Sequence, residues 1–362
     1  MAEVTRETVE SALRQVCDPC LGTDLVSLDA INSIEIKGGQ VSVSVVLGYP
    51  ALGLRQSLSD SVLKALVGLP GVEQVDVDLG WYVEPQQSHN NQPAVNSVKN
   101  IIAVASGKGG VGKSTTTVNL ALALAAEGAR VGILDADIYG PSQPQMLGVG
   151  LERPKMQGPQ HMIPVEAHGI QSISMGYLVT ENTPMVWRGP MVSGALQQLL
   201  SQTLWQDLDY LLIDMPPGTG DIQLTLSQKV PVTGAVIVTT PQDIALLDAK
   251  KGIEMFRKVN IPVLGVVENM ATHVCSNCGH EEHIFGAGGG ERIAADYHTQ
   301  LLGSLPLDLS IREGADGGNP SVAADAESPI SQTYREIARK MAAQLWAGGG
   351  QPAVPEIVIS ED

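Results

Sequence analysis

The feature that most constrains the fold is a glycine-rich segment that directly follows a short apolar run. Residues 101–105 (IIAVA) form the apolar run, and residues 107–114 read GKGGVGKS. The helical pattern that comes next continues to Gly128. This order of strand, GxxxxGK[ST] loop and helix is that of a P-loop, and it predicts that backbone N–H groups and the helix N-terminus bind nucleotide phosphates.

The side chains of this loop have separate predicted roles. We expect Lys113 to contact the β and γ phosphates, the Ser114 hydroxyl to bind Mg²⁺, and Thr115 to lie near the α phosphate. Lys113 is therefore also a predicted catalytic residue. The predicted ATP-binding residues of the loop are Gly107, Gly109, Gly110, Val111, Gly112, Lys113, Ser114 and Thr115.

Carboxylates follow two of the other apolar runs. Residues 131–134 precede Asp135 and Asp137, and residues 210–213 precede Asp214. In an open α/β sheet, ligands bind at the carboxyl ends of the strands, so these side chains should meet the P-loop. We predict that Asp137 positions the attacking water, that Asp135 lies in the outer shell of the metal, and that Asp214 holds Mg²⁺ through water.

Two further segments follow strands in the same way. Residues 215–221 (MPPGTGD) combine stiff prolines with glycine hinges, which suits a loop that senses the γ phosphate. Asn269 comes after the apolar run 263–267, and it is a candidate for reading adenine, although it could equally cap a turn.

A CxxC motif formed by Cys275 and Cys278 indicates a soft metal ion or one edge of an iron–sulfur cluster. Two thiolates are only half of the four ligands that a closed zinc site or a [4Fe–4S] cluster requires. A second copy of the chain could supply the other two cysteines around one bridging cluster. A zinc site within the monomer is the alternative, completed from His273, His280 and His283. A redox disulfide is disfavoured because the motif does not begin a helix.

The second CxxC, at Cys17 and Cys20, coincides with a helix end and Pro19, and we interpret it as a coincidence of spacing.

The formal net charge of −17 argues against binding to nucleic acid or to an anionic membrane surface. No run approaches the roughly 20 apolar residues that span a bilayer, and the N-terminus lacks a signal-peptide core. We therefore expect a cytoplasmic protein whose four cysteines are not in disulfides.

The alternation of apolar runs with helical segments predicts the fold class. We expect an α/β P-loop NTPase with a mostly parallel, doubly wound sheet, preceded by a small α+β domain. The predicted domains are residues 1–83, a linker at 84–97, the P-loop domain at 98–347, and a disordered tail at 348–362. In the small domain the patterns predict helices at 5–16 and 54–67 and strands at 33–37, 40–47 and 72–79. A last helix is expected at 330–346.

The KGGVGKS string, with the second lysine Lys108, resembles the deviant Walker A subclass, which includes the nitrogenase iron protein, ParA and MinD. In that subclass the extra lysine reaches across a dimer interface to the nucleotide of the partner. The resemblance therefore implies that Lys108 is catalytic and stabilises transition-state charge in the second copy of a homodimer.

The motifs together resemble the Mrp/ApbC iron–sulfur carrier ATPases. The matching strings are WRGPM at 187–191, DYLLIDMPPGTGD at 209–221, TPQD at 240–243, ENM at 268–270, the CxxC, and IFG at 284–286. The resemblance implies a homodimer that binds ATP, Mg²⁺ and a [4Fe–4S] cluster, and that hands the cluster to apo-proteins. Residues 1–83 are similar to the small iron–sulfur-assembly domain of many relatives, but residues 47–53 lack the cysteine found there. Docking of client proteins is therefore the favoured role for this domain.

Three other functions remain open at this point. One is a ParA- or MinD-like positioning ATPase, which the acidic charge and the acidic end at 360–362 disfavour. Another is a zinc-knuckle P-loop ATPase without cluster transfer. The third is a reductase like the nitrogenase iron protein, whose cluster ligands are more widely separated in sequence than this CxxC.

Overall fold

The computed structural model describes residues 4–88, 92–178, 189–275 and 277–349, and of Gly189, Pro190 and Gly349 only the backbone. Trp187 and Arg188 of the WRGPM string lie outside the described residues, as do Ser276 of the CxxC and residues 350–362 of the predicted tail.

The N-terminal unit is a three-stranded sheet with two helices. Its elements are α1 (Arg6–Leu13), β1 (Ile31–Lys37), β2 (Gln40–Leu47), α2 (Arg55–Val67) and β3 (Gln74–Trp81). β1 and β2 form the expected antiparallel hairpin, and β3 pairs with β2 in parallel. The turn between β1 and β2 uses Gly38 at a φ of 63°, in the left-handed region that glycine adopts without strain.

Three elements of this unit differ by two or more residues from their predicted bounds. β1 begins at Ile31 and not at residue 33, because Ile31 pairs with Val45 of β2. α1 ends at Leu13, three residues before the predicted end at Val16, because the chain turns there to form a bridge between Cys17 and Asp24. β3 runs from Gln74 to Trp81 and so lies two residues further along the chain than predicted, since its register is set by pairing with β2.

The remaining strands form one large sheet and two small hairpins. In chain order they are β4 (Val98–Ala105), β5 (Val131–Asp135), β6 (Lys155–Gln157), β7 (His161–Ile163), β8 (Val165–Ala167), β9 (Ile170–Ser174), β10 (Leu208–Asp214), β11 (Gly234–Thr239), β12 (Val263–Glu268), β13 (His273–Val274), β14 (Glu281–Glu282) and β15 (Leu301–Ser304). Within the described ranges the large sheet has the order β15-β12-β11-β4-β10-β5-β9-β8. All its neighbours are parallel except β8, which is antiparallel to β9.

Helices cover both faces of this sheet. They are α3 (Lys113–Ala126), α4 (Gln143–Met146), α5 (Gly189–Gln202), α6 (Asp221–Lys229), α7 (Asp243–Lys258), α8 (Gly289–Asp296), α9 (Leu309–Asp316), α10 (Ser321–Ala324) and α11 (Pro329–Gly349). Along β4, Ile102 and Val104 pack into the core beneath α3 and α11, while Ile101 and Ala103 pack into the core beneath α5 and α7. The mostly parallel, doubly wound prediction is therefore confirmed. Within the described ranges, none of these helices is long and apolar enough to cross a membrane.

The connection between the two units is held against the large sheet. Residues 84–88 and 92–97 are in neither helix nor strand. Asn100 on β4 accepts a hydrogen bond from the N–H of Gln86 at 3.0 Å and donates one to the carbonyl oxygen of Glu84 at 2.9 Å. The start of this connection is therefore fixed by side-chain hydrogen bonds.

The N-terminal unit also contacts the helix that begins at the P-loop. Glu127, fully buried just after α3, accepts hydrogen bonds from the N–H of Gly53 at 2.7 Å and from the guanidinium groups of Arg335 and Arg339 at 2.7 and 2.6 Å. On α11, which extends three residues beyond its predicted end at Trp346, the Trp346 ring packs directly on Gly48. A buried ion-pair network and a continuous apolar core thus join the two units.

Candidate functional site: the carboxyl edge of the sheet

The predicted P-loop lies between β4 and α3, and its glycines meet specific steric demands. Gly110 and Gly112 have φ angles of 81° and 82°, which side chains rarely adopt. A Cβ on Gly107 would lie 2.2 Å from the backbone of Asp248 on α7. The loop therefore needs glycine at these positions, and it leads directly into the N-terminus of α3 at Lys113.

Lys113 and Asp214 form an ion pair at the base of the loop. The ammonium of Lys113 contacts Asp214 Oδ1 and lies 3.1 Å from the Ser114 hydroxyl oxygen. Asp214 also accepts a hydrogen bond from Thr117 Oγ1 at 3.3 Å. Because the Lys113 and Asp214 side chains are 6% and 0% exposed, each charge depends on the other for compensation.

Asp135 lies next to this pair and is held by the loop that follows it. It accepts hydrogen bonds from the N–H groups of Ser142 and Gln143 at 3.0 and 3.1 Å and from the Ser174 hydroxyl at 3.0 Å. Burial, and then the charge of Asp214, raise the pKa of Asp135 to about 7. Burial also raises the pKa of Asp137, which is half-buried and senses the charge of Lys113. The structure thus brings the predicted carboxylates together around Lys113.

Gln143 is a member of this site that the sequence reasoning missed. Its Nε2 donates hydrogen bonds to Asp214 Oδ2 at 2.9 Å and to the carbonyl oxygen of Ser114 at 3.1 Å. Its Oε1 is buried and has no hydrogen-bond partner within the described residues. The local signal was a polar residue at the start of α4, six positions after Asp137, which by itself does not indicate a role.

The oxygen atoms gathered here fit a magnesium ion. Mg²⁺ prefers oxygen ligands and retains several waters, which need hydrogen-bond acceptors around them. The Ser114 hydroxyl, the Asp214 carboxylate and the unpaired Gln143 Oε1 supply such atoms, and an unpaired buried amide oxygen is costly unless it gains a partner.

The loop at 215–221 lies against the P-loop, as its predicted role requires. The N–H of Gly218 donates to the carbonyl oxygen of Ser106 at 3.0 Å, and Pro217 lies 4.0 Å from the position of a Cβ on Gly109. Gln223, buried on α6, donates a hydrogen bond to the carbonyl oxygen of Pro216. Any group bound in the P-loop therefore has this loop as a neighbour.

Two further predicted residues, Asn269 and Lys108, have hydrogen bonds at the P-loop backbone. Asn269 is 8% exposed, and its Nδ2 donates to the carbonyl oxygen of Val111 at 2.9 Å. At Lys108 the backbone carbonyl accepts from the Ser106 hydroxyl at 2.9 Å, and the residue is partly exposed. Adenine reading by Asn269 and the action of Lys108 on a partner's nucleotide stay predictions.

The CxxC lies between the short strands β13 and β14. The N–H of Cys275 donates to the carbonyl oxygen of His280 at 2.9 Å, and that of Gly279 to the carbonyl oxygen of Cys275 at 2.8 Å. Backbone N–H groups of Asn277 and Cys278 lower the pKa of the Cys275 thiol because they stabilise the thiolate. Cys278 is exposed, and Cys275 is partly so.

The alternative of a zinc site within one monomer gains no support. In the part of the chain that the structure describes, no three His, Cys, Asp or Glu side chains are grouped to hold a metal ion. His273 and His283 instead place their Nδ1 atoms 3.2 and 3.0 Å from the carbonyl oxygens of Leu307 and Ala271.

The other cysteine pair has a different environment. All four cysteines lie within the described ranges and are free. Cys17 is exposed, whereas Cys20 is partly buried beside Tyr49, and burial raises the pKa of its thiol to about 11. Cys20 therefore remains a neutral thiol at physiological pH, which agrees with a coincidental motif.

A parallel sheet with this loop, lysine and strand-end carboxylate defines a P-loop NTPase, and solved structures agree. The nucleotide-binding protein from Archaeoglobus fulgidus, in complex with ADP, is similar with a TM-score of 0.57 and 37% identity over 66% of this chain and 92% of that one. The cell division ATPase MinD from Pyrococcus furiosus shares the fold, with a TM-score of 0.50 and 24% identity over 67% of this chain and 98% of that one.

Sequence comparison specifies the family. The model of the NUBPL iron-transfer P-loop NTPase matches residues 97–342, and that of the iron-sulfur cluster assembly protein matches residues 6–77. The iron-sulfur cluster carrier protein of Escherichia coli (strain K12) is 54% identical over 347 residues, 96% of this chain and 94% of the relative. The iron-sulfur cluster transfer protein NUBPL of Mus musculus is 52% identical over 256 residues, 70% of this chain and 80% of the relative. The chain belongs to this family of iron–sulfur cluster carrier P-loop NTPases.

Proposed function

We propose that this protein binds and hydrolyses ATP and carries a [4Fe–4S] cluster, which two copies hold between them and deliver to apo-proteins. The observation that carries the proposal is the pairing, in one chain, of a complete P-loop site with an exposed CxxC that offers only two ligands. A cluster needs four, so a second copy is the simplest source of the other two.

In the nucleotide site, backbone N–H groups of Gly107–Gly112 and the N-terminus of α3 bind the phosphates, and Lys113 leaves Asp214 to contact the β and γ phosphates. The Ser114 hydroxyl binds Mg²⁺, and Asp214 and Asp135 accept hydrogen bonds from its waters. Thr115 lies near the α phosphate. The bound metal would supply charge stabilisation to phosphoryl transfer.

Two further residues complete the proposed hydrolysis. Asp137 orients the attacking water, and its half-buried position beside Lys113 supports this role. Lys108 stabilises transition-state charge on the nucleotide of the second copy, and its place at the partly exposed rim of the P-loop leaves it accessible to a partner. Asn269 is proposed to read the adenine.

The cluster is cargo in this proposal, and Cys275 and Cys278 of each copy hold it. The lowered pKa of Cys275 favours the thiolate form that binds iron. Apo iron–sulfur proteins are the clients, and the N-terminal unit, fixed to α3 and α11, offers a docking surface. The proposal includes a cytoplasmic location and no role for nucleic acid or membrane.

Anaerobic reconstitution tests the cluster site. The wild-type protein should gain iron and sulfide in equal amounts with charge-transfer absorbance, and Cys275→Ser or Cys278→Ser should lose both. Cys17→Ser, at an exposed cysteine outside the site, is the matched control and should behave as wild type. A Cys275→Ser/Cys278→Ser double variant that still holds iron and sulfide would refute this assignment.

A further inference from the structure

We propose that Asn269 is a positioning residue that ties the cysteine hairpin to the P-loop, so that ATP binding changes the conformation of the segment carrying Cys275 and Cys278. This inference rests on the proposed function, because it supplies the physical connection between its two sites. The cysteine hairpin is defined here as residues 273–282, from β13 to β14.

The first contact lies at the P-loop itself. Asn269 Nδ2 donates to the carbonyl oxygen of Val111 at 2.9 Å, and a carbonyl can only accept, so the orientation of the amide is determined. A Cβ on Gly112 would lie 2.1 Å from this Nδ2, so only glycine lets the amide approach so closely. Because Asn269 is 8% exposed, water cannot readily replace the bond, and a shift of Val111 requires Asn269 to follow.

The chain between Asn269 and the cysteines is held in a fixed conformation at Met270 and Ala271. Met270 has a φ of 57°, a conformation that a non-glycine residue holds only where its surroundings impose it. Ala271 donates its N–H to the carbonyl oxygen of Leu305 at 2.9 Å, which fixes the segment to the residue that follows β15. Cys275 follows four residues after Ala271.

Both ends of the cysteine hairpin converge on Ala271. The first end, β13, is connected to Ala271 directly through the chain. The second end reaches it through His283, directly after β14, whose Nδ1 lies 3.0 Å from the carbonyl oxygen of Ala271. Since that oxygen accepts, His283 is the donor. A displacement of Asn269 therefore moves Ala271, two residues further along the chain, and with it both ends of the cysteine hairpin.

Within the cysteine hairpin, backbone hydrogen bonds connect the turn that carries the two cysteines to the strands β13 and β14. His273 pairs with Glu282 across the strands, and the N–H of Cys275 and of Gly279 close the turn through backbone hydrogen bonds. A hairpin built in this way moves largely as a unit. Small shifts at its base then change how Cys275 and Cys278 meet the corresponding pair of a second copy.

Hydrogen exchange of the full-length, metal-free protein, with and without saturating ATP and Mg²⁺, tests the inference without needing a cluster. The wild type should show ATP-dependent changes in peptides covering residues 106–115 and also in those covering 271–283. Asn269→Ala is compared only where it still protects residues 106–115 on adding ATP, and there it should lose most of the change at 271–283, roughly fivefold for one hydrogen bond of ordinary net strength. Asn32→Ala, the same substitution at an exposed site on β1, is the matched control.

A second variant cuts the connection at its far end. His283→Ala removes the contact with Ala271 without touching the P-loop, so it should bind ATP as the wild type does and lose most of the hairpin response. If Asn269→Ala no longer binds ATP, this variant decides the question alone. In cluster-loaded protein, both variants should transfer their cluster at a rate that no longer depends on ATP.

Each outcome has a definite meaning. Protection at 106–115 without any change at 271–283 in the wild type would refute the inference while ATP binding stands. A full hairpin response in His283→Ala, or in an ATP-binding Asn269→Ala, would also refute it. Absence of protection at 106–115 in the wild type would refute ATP binding itself, and the inference with it.

Discussion

Replacing Glu127 with alanine should detach the N-terminal unit from α3 and α11 and destabilise the protein strongly. Glu127 is fully buried and is the shared partner of two guanidinium groups, whose side chains are only 11% and 9% exposed. Removing one member of such a buried ion pair leaves uncompensated charge and costs about 3–5 kcal/mol. The N–H of Gly53 also loses its acceptor.

The expected shift in melting temperature follows from this cost. The entropy of unfolding is about 2.1 cal/mol/K per residue, or roughly 0.8 kcal/mol/K for 362 residues, so a loss of about 4 kcal/mol lowers Tm by about 5 °C. Calorimetry measures the shift, and hydrogen exchange at Gly53 reports local detachment.

A matched control shows how much of the loss in stability comes from the burial of the ion pair. Glu313→Ala removes an exposed pair with Arg312, in which both side chains are 61% exposed, so its cost is about 1 kcal/mol or less and Tm should fall by about 1 °C at most. A Glu127→Ala protein that melts within about 1 °C of the control would show that the network does not hold the units together.

Three further predictions concern the site. Gln143→Leu should raise the Mg²⁺ concentration needed for half-maximal ATP binding, since it removes the unpaired Oε1 and the hydrogen bond that Nε2 donates to Asp214. An unaltered Mg²⁺ requirement in titrations would contradict its role. Iodoacetamide should modify Cys275 faster than Cys20 at pH 8, because the pKa of Cys275 is lowered whereas that of Cys20 is about 11. The modification rate at Cys20 should rise as the pH approaches 11. Equal rates for the two cysteines, measured by mass spectrometry, would argue against these environments. Lys108→Ala should still bind ATP but hydrolyse it about 10³-fold more slowly, and wild-type turnover in this variant would remove the lysine from the mechanism.

The P-loop could be predicted from the sequence because its geometry is encoded locally. Glycine is required at Gly110 and Gly112 by positive φ, and at Gly107 by the close approach of α7, and all three positions are part of the motif. The alternation of central strands and helices was also predictable, since buried parallel strands are continuous apolar runs. The strands β8, β9 and β15 of the same sheet were not predicted.

Strand boundaries were less predictable, because pairing extends a strand beyond its apolar run. β4 begins at Val98, three residues before the run at 101–105, since Val98 and Asn100 pair with Leu208 and Tyr210 of β10. Lys99 is accommodated there by an ion pair with Asp209 at 2.9 Å. Polar residues of this kind carry no apolar periodicity.

The contacts made by Gln143 and Glu127 could not be predicted, because they join residues far apart in sequence. Gln143 reaches Asp214, 71 positions away, and Glu127 reaches Arg335 and Arg339, 208 and 212 positions away. Neither residue belongs to a motif of fixed spacing. Only the folded chain reveals that one contacts Asp214 beside the P-loop and the other joins the two units.

The central claim is that ATP at the P-loop governs delivery of a cluster held by the CxxC. The most direct measurement is the rate of [4Fe–4S] transfer from reconstituted protein to an apo-acceptor, with and without ATP, for the wild type and Lys113→Ala. We predict that ATP changes the wild-type rate and that Lys113→Ala, which cannot bind the phosphates properly, transfers at one rate in both conditions. An ATP response of equal size in Lys113→Ala, or no transfer from the cluster-loaded wild type, would contradict the account.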